Sequence, residues 1–178
     1  MLSSIVCEEC IVPLVVNVIG IGRKSGKTSL IEALLGGLSK RGYKVATVKH
    51  ISKGSFDTAQ KDTWKHLQAG AVKVIAMSPN EMVSIHRINE PILDIAVREI
   101  GESVDIILVE GFKNTHYPKI IVAQAIDEVK ELMKKTNNVL AISGPIAERT
   151  EQKAIEDVKI LKPYDIIHKI VDMIHKQD

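Results

Sequence analysis

The chain has 178 residues, of which 45% are hydrophobic and 26% are charged, and its formal net charge at pH 7 is +2. This length and composition are those of an ordinary globular protein with a sizeable core, and they exclude a low-complexity chain. The net charge argues neither for nor against nucleic acid. Aromatic residues, at 3%, leave few stacking platforms for a single strand, so we expect no nucleic-acid partner.

No apolar run approaches the roughly 18 residues needed to span a bilayer, and the run at residues 11–21 is interrupted by Pro13 and Asn17. The first ten residues carry no Lys or Arg, which argues against a secretory signal. We therefore predict a cytoplasmic protein with no membrane partner. Cys7 and Cys10 have the C-x-x-C spacing of redox motifs and half zinc sites, but no second cysteine pair exists. Residues 1–11 are interpreted as a peripheral segment of one domain spanning 1–178.

Apolar β-branched runs alternate with helical patterns along the chain, which is typical of βα units and a parallel sheet. The first strand is predicted at residues 13–19, because PLVVNVI is almost continuously apolar, like a strand buried on both faces. A helix over residues 27–40 follows, with Gly42 as its expected C-terminal cap. The further predicted strands are 44–49, 72–78, 82–86, 103–110, 119–123 and 139–143. The further predicted helices are 58–68, 91–100 and 164–176, the last with an apolar stripe expected to pack on the sheet.

The segment GIGRKSGKTSL, residues 20–30, lies between the first strand and the first helix, where a phosphate-binding loop is expected. Backbone N–H groups of such a loop and the helix N-terminus attract anions. Lys27 would reach the β- and γ-phosphates, and the Thr28 hydroxyl would ligate Mg²⁺. The candidate nucleotide ligands in the loop are Gly22, Arg23, Lys24, Ser25, Gly26, Lys27 and Thr28. The predicted fold is therefore α/β, a three-layer P-loop NTPase fold with a mostly parallel central sheet.

The loop departs from the pattern G-x-x-x-x-G-K-[ST] at its first glycine, because Ile21 stands there between Gly20 and Gly22. Two explanations keep the loop functional. Gly22 takes the tight turn in a loop shortened by one residue, or Ile21 occupies the usual position at negative φ. The alternative is a glycine-rich turn with a solvated lysine.

Glu110 is the acidic residue expected to complete the site, because it ends the apolar strand IILVE at the carboxyl edge, where open α/β sheets bind ligands. A surface acid that merely ends a buried strand is the alternative. Asp105 begins the same strand at the opposite edge and is not expected to be a ligand. The N–H of Gly111 is expected to contact a γ-phosphate. Asp57 is either a further Mg²⁺ ligand or the N-cap of the next helix.

Four further segments accompany the loop: TVKH (47–50), FDTAQKDTWKHLQAGA (56–71), VEGFK (109–113) and PKI (118–120). Together with GKT they resemble the MobB-type molybdopterin-guanine dinucleotide biosynthesis adaptor family, over about residues 15–143. The resemblance implies a homodimer that binds GTP with Mg²⁺ and hydrolyses it weakly. It also implies a molybdenum cofactor guanylyltransferase as partner, which joins GMP to molybdopterin, and molybdopterin as a bound or delivered ligand.

Carried over by motif, the resemblance implies phosphate and Mg²⁺ contacts from the end of the loop and further site residues from three other segments. These residues are Gly26, Lys27, Thr28, Ser29, Lys49, His50, Asp57, Lys61, Asp62, Glu110, Gly111 and Lys113. The chain departs from the family at Gln124, where an arginine is expected, and at SGPIAE (143–148), where an acid is expected near the strand end. The N-K-x-D motif that reads guanine in regulatory GTPases is absent, so the residues themselves leave GTP and ATP open.

Several alternatives remain open from the residues alone. The cations around the second strand and the following helix form either a site for a pterin phosphate or a solvated basic helix face. A P-loop kinase of a small substrate is the runner-up function, although the arginines of a kinase lid are scattered here. A nickel-delivering metallochaperone-type GTPase has only Cys7 and Cys10 in its favour, and a structural domain with a non-functional loop would explain Ile21.

Overall fold

The computed structural model of the protein describes residues 12–22, 24–51 and 60–176. The chain forms two compact units: one contains the described residues up to His50 and those from Leu93 onwards, and the other is Ile51–Ile92. Cys7, Cys10 and the rest of segment 1–11 lie outside the described residues, and the prediction of one domain over 1–178 stays a prediction. Among the described helices, none has the length and apolar character needed to cross a bilayer.

Strands and helices alternate along most of the described chain. The strands are β1 (Leu14–Gly20), β2 (Val45–Lys49), β3 (Lys73–Met77), β4 (Met82–His86), β5 (Ile106–Glu110), β6 (Lys119–Val122), β7 (Val139–Ser143), β8 (Ala154–Ile155) and β9 (Val158–Lys159). The helices are α1 (Lys27–Ser39), α2 (Asp62–Gln68), α3 (Leu93–Ile100), α4 (Ile126–Met133), α5 (Ile146–Arg149) and α6 (Pro163–Ile174), and a 3₁₀ turn covers Gly101–Ser103.

The first unit is built on a five-stranded sheet in the order β2-β5-β1-β6-β7, with every pair of neighbours parallel. β1 lies in the middle and all seven of its residues are buried, as its apolar sequence predicts. One face of the sheet packs on α1 and α6, and the predicted stripe of α6 is confirmed because Ile166, Ile167 and Ile170 are buried there. The other face packs on α3 and α4. The predicted three-layer α/β architecture is therefore confirmed.

The second unit differs from a simple alternation of βα repeats. β3 and β4 pair with each other as an antiparallel hairpin outside the parallel sheet, although both strands were predicted close to their observed positions. A four-residue connection with hydrogen bonds between Ser78 and Glu81 makes this local pairing geometrically easy. The predicted helix 58–68 is observed from Asp62, and residues 58 and 59 lie outside the described part of the chain.

Sequence analysis missed α4, α5 and the small β8–β9 hairpin. α4 had a readable signal, because Ile126, Val129 and Leu132 recur at helical spacing and pack against the sheet. Just before its start, the Gln124 N–H donates to the carboxylate of Glu128, in the first turn, at 2.8 Å. α5 spans only four residues and β8 only two, which is too short for a periodic pattern.

Residues 111–118, which we name the crossover segment, join β5 to β6. Both strands are parallel neighbours of β1, so this segment must return from the carboxyl edge of the sheet to the amino edge. Such a return is usually made by a helix, whose backbone hydrogen bonds are internal. Here no helix forms between Glu110 and Lys119, so the carbonyl groups of the segment need other partners.

Two buried polar side chains supply much of that hydrogen bonding. Asn17, in the middle of β1, donates through Nδ2 to the carbonyls of Gly111 at 3.1 Å and Phe112 at 3.0 Å. Lys119, the first residue of β6, is fully buried and donates through Nζ to the carbonyls of Thr115 at 2.5 Å and Tyr117 at 2.9 Å. Asn17 and Lys119 are register partners in the parallel pair β1–β6, so they hold the crossover segment against one face of the sheet.

Replacing Lys119 with Met should lower the free energy of unfolding by about 1–3 kcal/mol, because two carbonyls lose their donor while the side-chain volume is kept. Chemical denaturation of wild type and variant measures this difference. Lys159→Met, at an exposed position on β9, is the matched control and should change stability little.

The stability difference should also depend on pH, because burial lowers the pKa of Lys119 below its ordinary 10.5. The folded state then binds fewer protons than the unfolded state in the alkaline range, so wild-type stability gains from Lys119 as pH rises towards 10.5. The gap between wild type and Lys119→Met should therefore widen with pH. A gap that is zero at neutral pH would contradict the assigned role.

Candidate functional site

The phosphate loop connects β1 to α1, and its glycines explain how Ile21 is tolerated. Gly22 has φ +68° and Gly26, the N-cap of α1, has φ +96°, both in the left-handed region. Ile21 is not among the described residues with positive φ. Its side chain instead packs beside the apolar cluster that contains Ile19 and Ile121. The structure therefore places the left-handed turn at Gly22 and leaves Ile21 with an ordinary backbone.

Gly20 is needed for a different reason, because neighbouring atoms lie too close to its backbone to leave room for a side chain. A Cβ added there would lie 2.6 Å from the Ser25 hydroxyl oxygen and 2.7 Å from the backbone carbonyl oxygen of Val122. Ser25 is itself buried at 2% exposure. The loop thus folds tightly against the end of β6, and the function of the first pattern glycine is divided between Gly20 and Gly22.

Lys27 opens α1 and folds back over the loop. Its Nζ donates to the Gly22 carbonyl at 2.7 Å and to the Ser25 hydroxyl at 2.8 Å. Burial lowers the pKa of Lys27, the charge of Glu110 opposes that shift, and the charges of Lys113 and Lys49 add to it. An anion bound beside Lys27 would offset both the burial and the repulsion between cations, so the surroundings favour a negatively charged ligand.

A carboxylate lies next to the loop, as predicted. The Thr28 hydroxyl donates to Glu110 Oε2 at 3.3 Å, and Lys49 Nζ lies 3.1 Å from the same oxygen. Lys49 and Glu110 are register partners at the ends of β2 and β5, and the Glu110 side chain is only 16% exposed. Because Glu110 is held between a hydroxyl and an ammonium group, it faces the start of α1 rather than solvent alone.

The residues around Glu110 pack closely against β2. The His50 N–H donates to the Glu110 carbonyl at 3.0 Å, and the His50 and Phe112 rings lie 4.7 Å apart. Gly111 has φ +101°, and a Cβ there would lie 3.0 Å from Cβ of His50. The predicted use of the Gly111 N–H is wrong, because this N–H donates to the Val18 carbonyl at 3.0 Å within the sheet. Gly111 shapes the turn after β5 and does not offer its amide to a ligand.

The other predicted site residues are distributed as follows. The Lys24 carbonyl accepts a hydrogen bond from Gln124 Nε2 at 3.0 Å, Ser29 is exposed on the first turn of α1, and Lys113 is exposed on the crossover segment. Lys61 is the N-cap residue of α2 in the second unit. Arg23 and Asp57 lie outside the described residues.

Three residues at the site were not recognised from sequence as its structural parts. Gln124 binds the loop through the Lys24 carbonyl. Pro145 faces Gly26, since a Cβ added to Gly26 would lie 3.4 Å from Pro145 Cδ, and Gly144 before it has φ +92°. Gln124 and Gly144 follow β6 and β7, so the rule that ligands bind beyond the carboxyl ends of parallel strands would have found them.

The donor set suits Mg²⁺ better than a transition metal. Thr28 and Glu110 supply hydroxyl and carboxylate oxygens, which are ligands that Mg²⁺ accepts together with phosphate oxygens and water. In the described parts of the chain, no three or more His, Cys, Asp or Glu residues are grouped to hold a metal ion. The described residues therefore supply only part of a coordination shell, and a metal bound beside Thr28 and Glu110 would take further oxygens from a phosphate ligand.

Comparison with known proteins gives consistent matches. The family model described as Molybdopterin guanine dinucleotide synthesis protein B matches residues 15–144. A molybdopterin-guanine dinucleotide biosynthesis adapter protein of Haemophilus influenzae is 27% identical over 154 residues, covering 85% of this chain and 86% of that protein. A solved molybdopterin-guanine biosynthesis protein B is 25% identical with a TM-score of 0.69, covering 91% of this chain and 99% of its own. The solved Bacillus subtilis MobB is 25% identical with a TM-score of 0.67, and the match covers 93% of this chain and 97% of the solved chain.

Restoring the usual glycine by Ile21→Gly should destabilise the protein by about 1–3 kcal/mol, because it removes a partly buried side chain and adds backbone freedom. It should not tighten nucleotide binding, since Gly22 already supplies the left-handed turn. Thermal unfolding and nucleotide titration measure the two effects. The control Ile21→Val keeps the packing and should stay close to wild type, and a tighter-binding Ile21→Gly variant would contradict this account of the loop.

Proposed function

Because the chain belongs to the family of molybdopterin guanine dinucleotide synthesis protein B, we propose that it is an accessory protein of molybdopterin-guanine dinucleotide biosynthesis that binds GTP with Mg²⁺. It assists the guanylyltransferase that attaches GMP to molybdopterin, and it hydrolyses GTP slowly. The observation that carries the nucleotide part is the meeting of Lys27, Thr28 and Glu110 at the carboxyl edge of the parallel sheet.

In this proposal the loop amides and the N-terminus of α1 hold the phosphates. Lys27 would exchange its neutral partners, the Gly22 carbonyl and the Ser25 hydroxyl, for charged phosphate oxygens, which form stronger hydrogen bonds. Thr28 and Glu110 would hold Mg²⁺, directly or through water. Bound Mg²⁺ supplies charge neutralisation between the β- and γ-phosphates.

Slow hydrolysis follows from what surrounds these groups. Within the described residues, none of the contacts of Lys27, Thr28 or Glu110 involves an arginine. An arginine supplied by a partner protein typically raises the rate of GTP hydrolysis by about 10³–10⁵. A slow enzyme that awaits its partner fits an adaptor role better than a role as an independent catalyst.

The choice of GTP over ATP rests on family membership alone, because the chain lacks the N-K-x-D motif. Gln124 and the Gly144–Pro145 pair, which follow β6 and β7, lie beside the loop. Titration of both nucleotides against the same preparation therefore tests this part of the proposal directly.

The homodimer is supported by the second unit. Its hairpin β3–β4 has large apolar side chains that are more than half exposed, namely Val72, Ile75, Met77, Met82 and Val83. An isolated two-stranded hairpin is marginally stable in water, and exposed apolar patches of this kind mark interaction surfaces. We propose that a second copy of the chain covers these residues.

Replacing Lys27 with Ala should weaken Mg²⁺–GTP binding at least a hundredfold, about 2.7 kcal/mol, because the loop loses its phosphate-binding ammonium group. Calorimetric titration of GTP and of ATP on wild type and variant measures the change. Lys153→Ala removes an exposed lysine elsewhere and should bind like wild type. Equal affinities in wild type and Lys27→Ala would refute the proposed nucleotide site.

Replacing Glu110 with Gln should weaken nucleotide binding more with Mg²⁺ than without it, by about tenfold or 1.4 kcal/mol, because a metal ligand is lost. The same titrations in Mg²⁺ and in a chelator give the two affinities. Glu102→Gln serves as the control, because Glu102 is an exposed carboxylate in the 3₁₀ turn before β5, whereas Glu110 ends that strand. Equal losses in both conditions would assign Glu110 a structural role through Thr28 and Lys49.

A further inference from the structure

A surface cavity of about 510 Å³ lies between two segments of the first unit. One wall is residues 113–116 of the crossover segment, and the other is residues 134–137, which join α4 to β7. All eight lining residues are polar; three are lysines, one is histidine, two are threonines and two are asparagines. A lining with no apolar and no acidic residue does not suit an aromatic ring, but it does suit a hydrated or charged oxyanion.

Two of the three cavity lysines form no ion pair with a carboxylate of the described residues. Lys135 is paired with Glu131 at 2.7 Å. Within the described residues, no carboxylate lies within salt-bridge distance of Lys113 or Lys134. The charge of Lys113 also acts on Glu131, whose pKa is lowered first by Lys135 and to a smaller extent by Lys113. The open positions for an anion are therefore Lys113 and Lys134.

The backbone of the crossover segment adds donors to the same wall. Three of the four carbonyls of residues 113–116 accept hydrogen bonds: Thr136 donates to the Lys113 carbonyl, Lys119 to the Thr115 carbonyl and Asn138 to the His116 carbonyl. By contrast, the backbone N–H groups of residues 113–116 have no acceptor within the described residues. Amides left free while the carbonyls are satisfied make a backbone that offers mainly hydrogen-bond donors.

We propose that this cavity binds a phosphate group, carried by a ligand other than the nucleotide in the phosphate loop. Lysine ammonium groups and backbone amide donors suit the several oxygens of a phosphate. The planar carboxylate, by contrast, is best matched by the fork of an arginine, and no arginine lines the cavity. The lining also contains no aromatic platform on which a base could stack, apart from the His116 ring, which lies 4.0 Å from Tyr117.

Lys113 connects this cavity to the candidate nucleotide site. It lines the cavity, and its charge also lowers the pKa of Lys27 in the phosphate loop. Anions in both places would therefore be attracted to the same cation. The inference extends the proposed function but does not depend on it.

The test uses the full-length protein and two probes, inorganic phosphate and glycerol phosphate, a monoester without base or pterin. Backbone amide NMR shifts are followed in Lys27→Ala, so that the phosphate loop does not compete. Both probes should shift the amides of residues 113–116 and 134–137 in a saturable way. Adding Lys134→Ala should weaken this binding about threefold to tenfold. The matched control Lys130→Ala, an exposed lysine on α4 outside the cavity, should leave it unchanged.

Three results would overturn the proposal. The first is no saturable amide shift in either segment, and the second is equal weakening of binding by Lys134→Ala and Lys130→Ala. The third uses acetate as a control anion: amide shifts with acetate as large as those with phosphate would show that the cavity does not select phosphate. If glycerol phosphate binds more tightly than inorganic phosphate, the natural ligand is an ester. If the two bind equally, a free phosphate is sufficient. Because the loop lysine is already replaced, failure here leaves the nucleotide proposal intact, and that proposal is tested separately by GTP titration.

Discussion

The hydrogen bonds that Asn17 and Lys119 donate to the crossover segment are the interactions on which the site depends. A connection between two parallel strands normally contains a helix, which satisfies its own backbone. Here the connection consists mainly of turns and bends and lies against buried strands, where unsatisfied carbonyls would each be costly. Burying a lysine is also unfavourable, and the lowered pKa of Lys119 shows that cost. The two side chains nevertheless have 0% exposure and donate four hydrogen bonds to the crossover segment.

This arrangement has a direct consequence for the carboxyl edge of the sheet. Asn17 holds the carbonyls of Gly111 and Phe112, which fixes the turn that begins immediately after Glu110. With that turn fixed, the Glu110 carboxylate stays beside Thr28 and Lys49. The same segment carries Lys113 and the residues 114–116, which line the basic cavity. One short segment of backbone therefore shapes both the nucleotide site and the proposed phosphate cavity.

At the carboxyl edge of the sheet, three lysines lie around Glu110, and this excess of positive charge favours an anionic ligand. The charges of Lys49 and Lys113 act on Lys27 in one direction, and the charge of Glu110 acts on it in the other. Repulsion between these cations and partial burial of Lys27 destabilise the charged state until an anion arrives. A polyphosphate with Mg²⁺ would supply the missing negative charge and keep Glu110 as a metal ligand. The displaced glycine of this chain is thus a change in backbone detail that leaves Lys27, Thr28 and Glu110 together.

The sequence by itself determined the elements whose chemistry is local. The buried strand β1, the Gly26-Lys27-Thr28 entry into α1 and the position of Glu110 at the end of β5 follow from apolar patterning and from the geometry of parallel sheets. The family also followed, because VEGFK and the segment 56–71 are specific. Only the tertiary structure decided what depends on distant partners. The Gly111 N–H donates to the Val18 carbonyl. Asn17 and Lys119 donate to the crossover segment, which is about a hundred residues from Asn17 in sequence but adjacent to Lys119. The strands β3 and β4 pair with each other outside the main sheet. Hydrogen bonds of this kind depend on which backbone group lies nearby in space, and a periodic pattern along the chain carries no information about that.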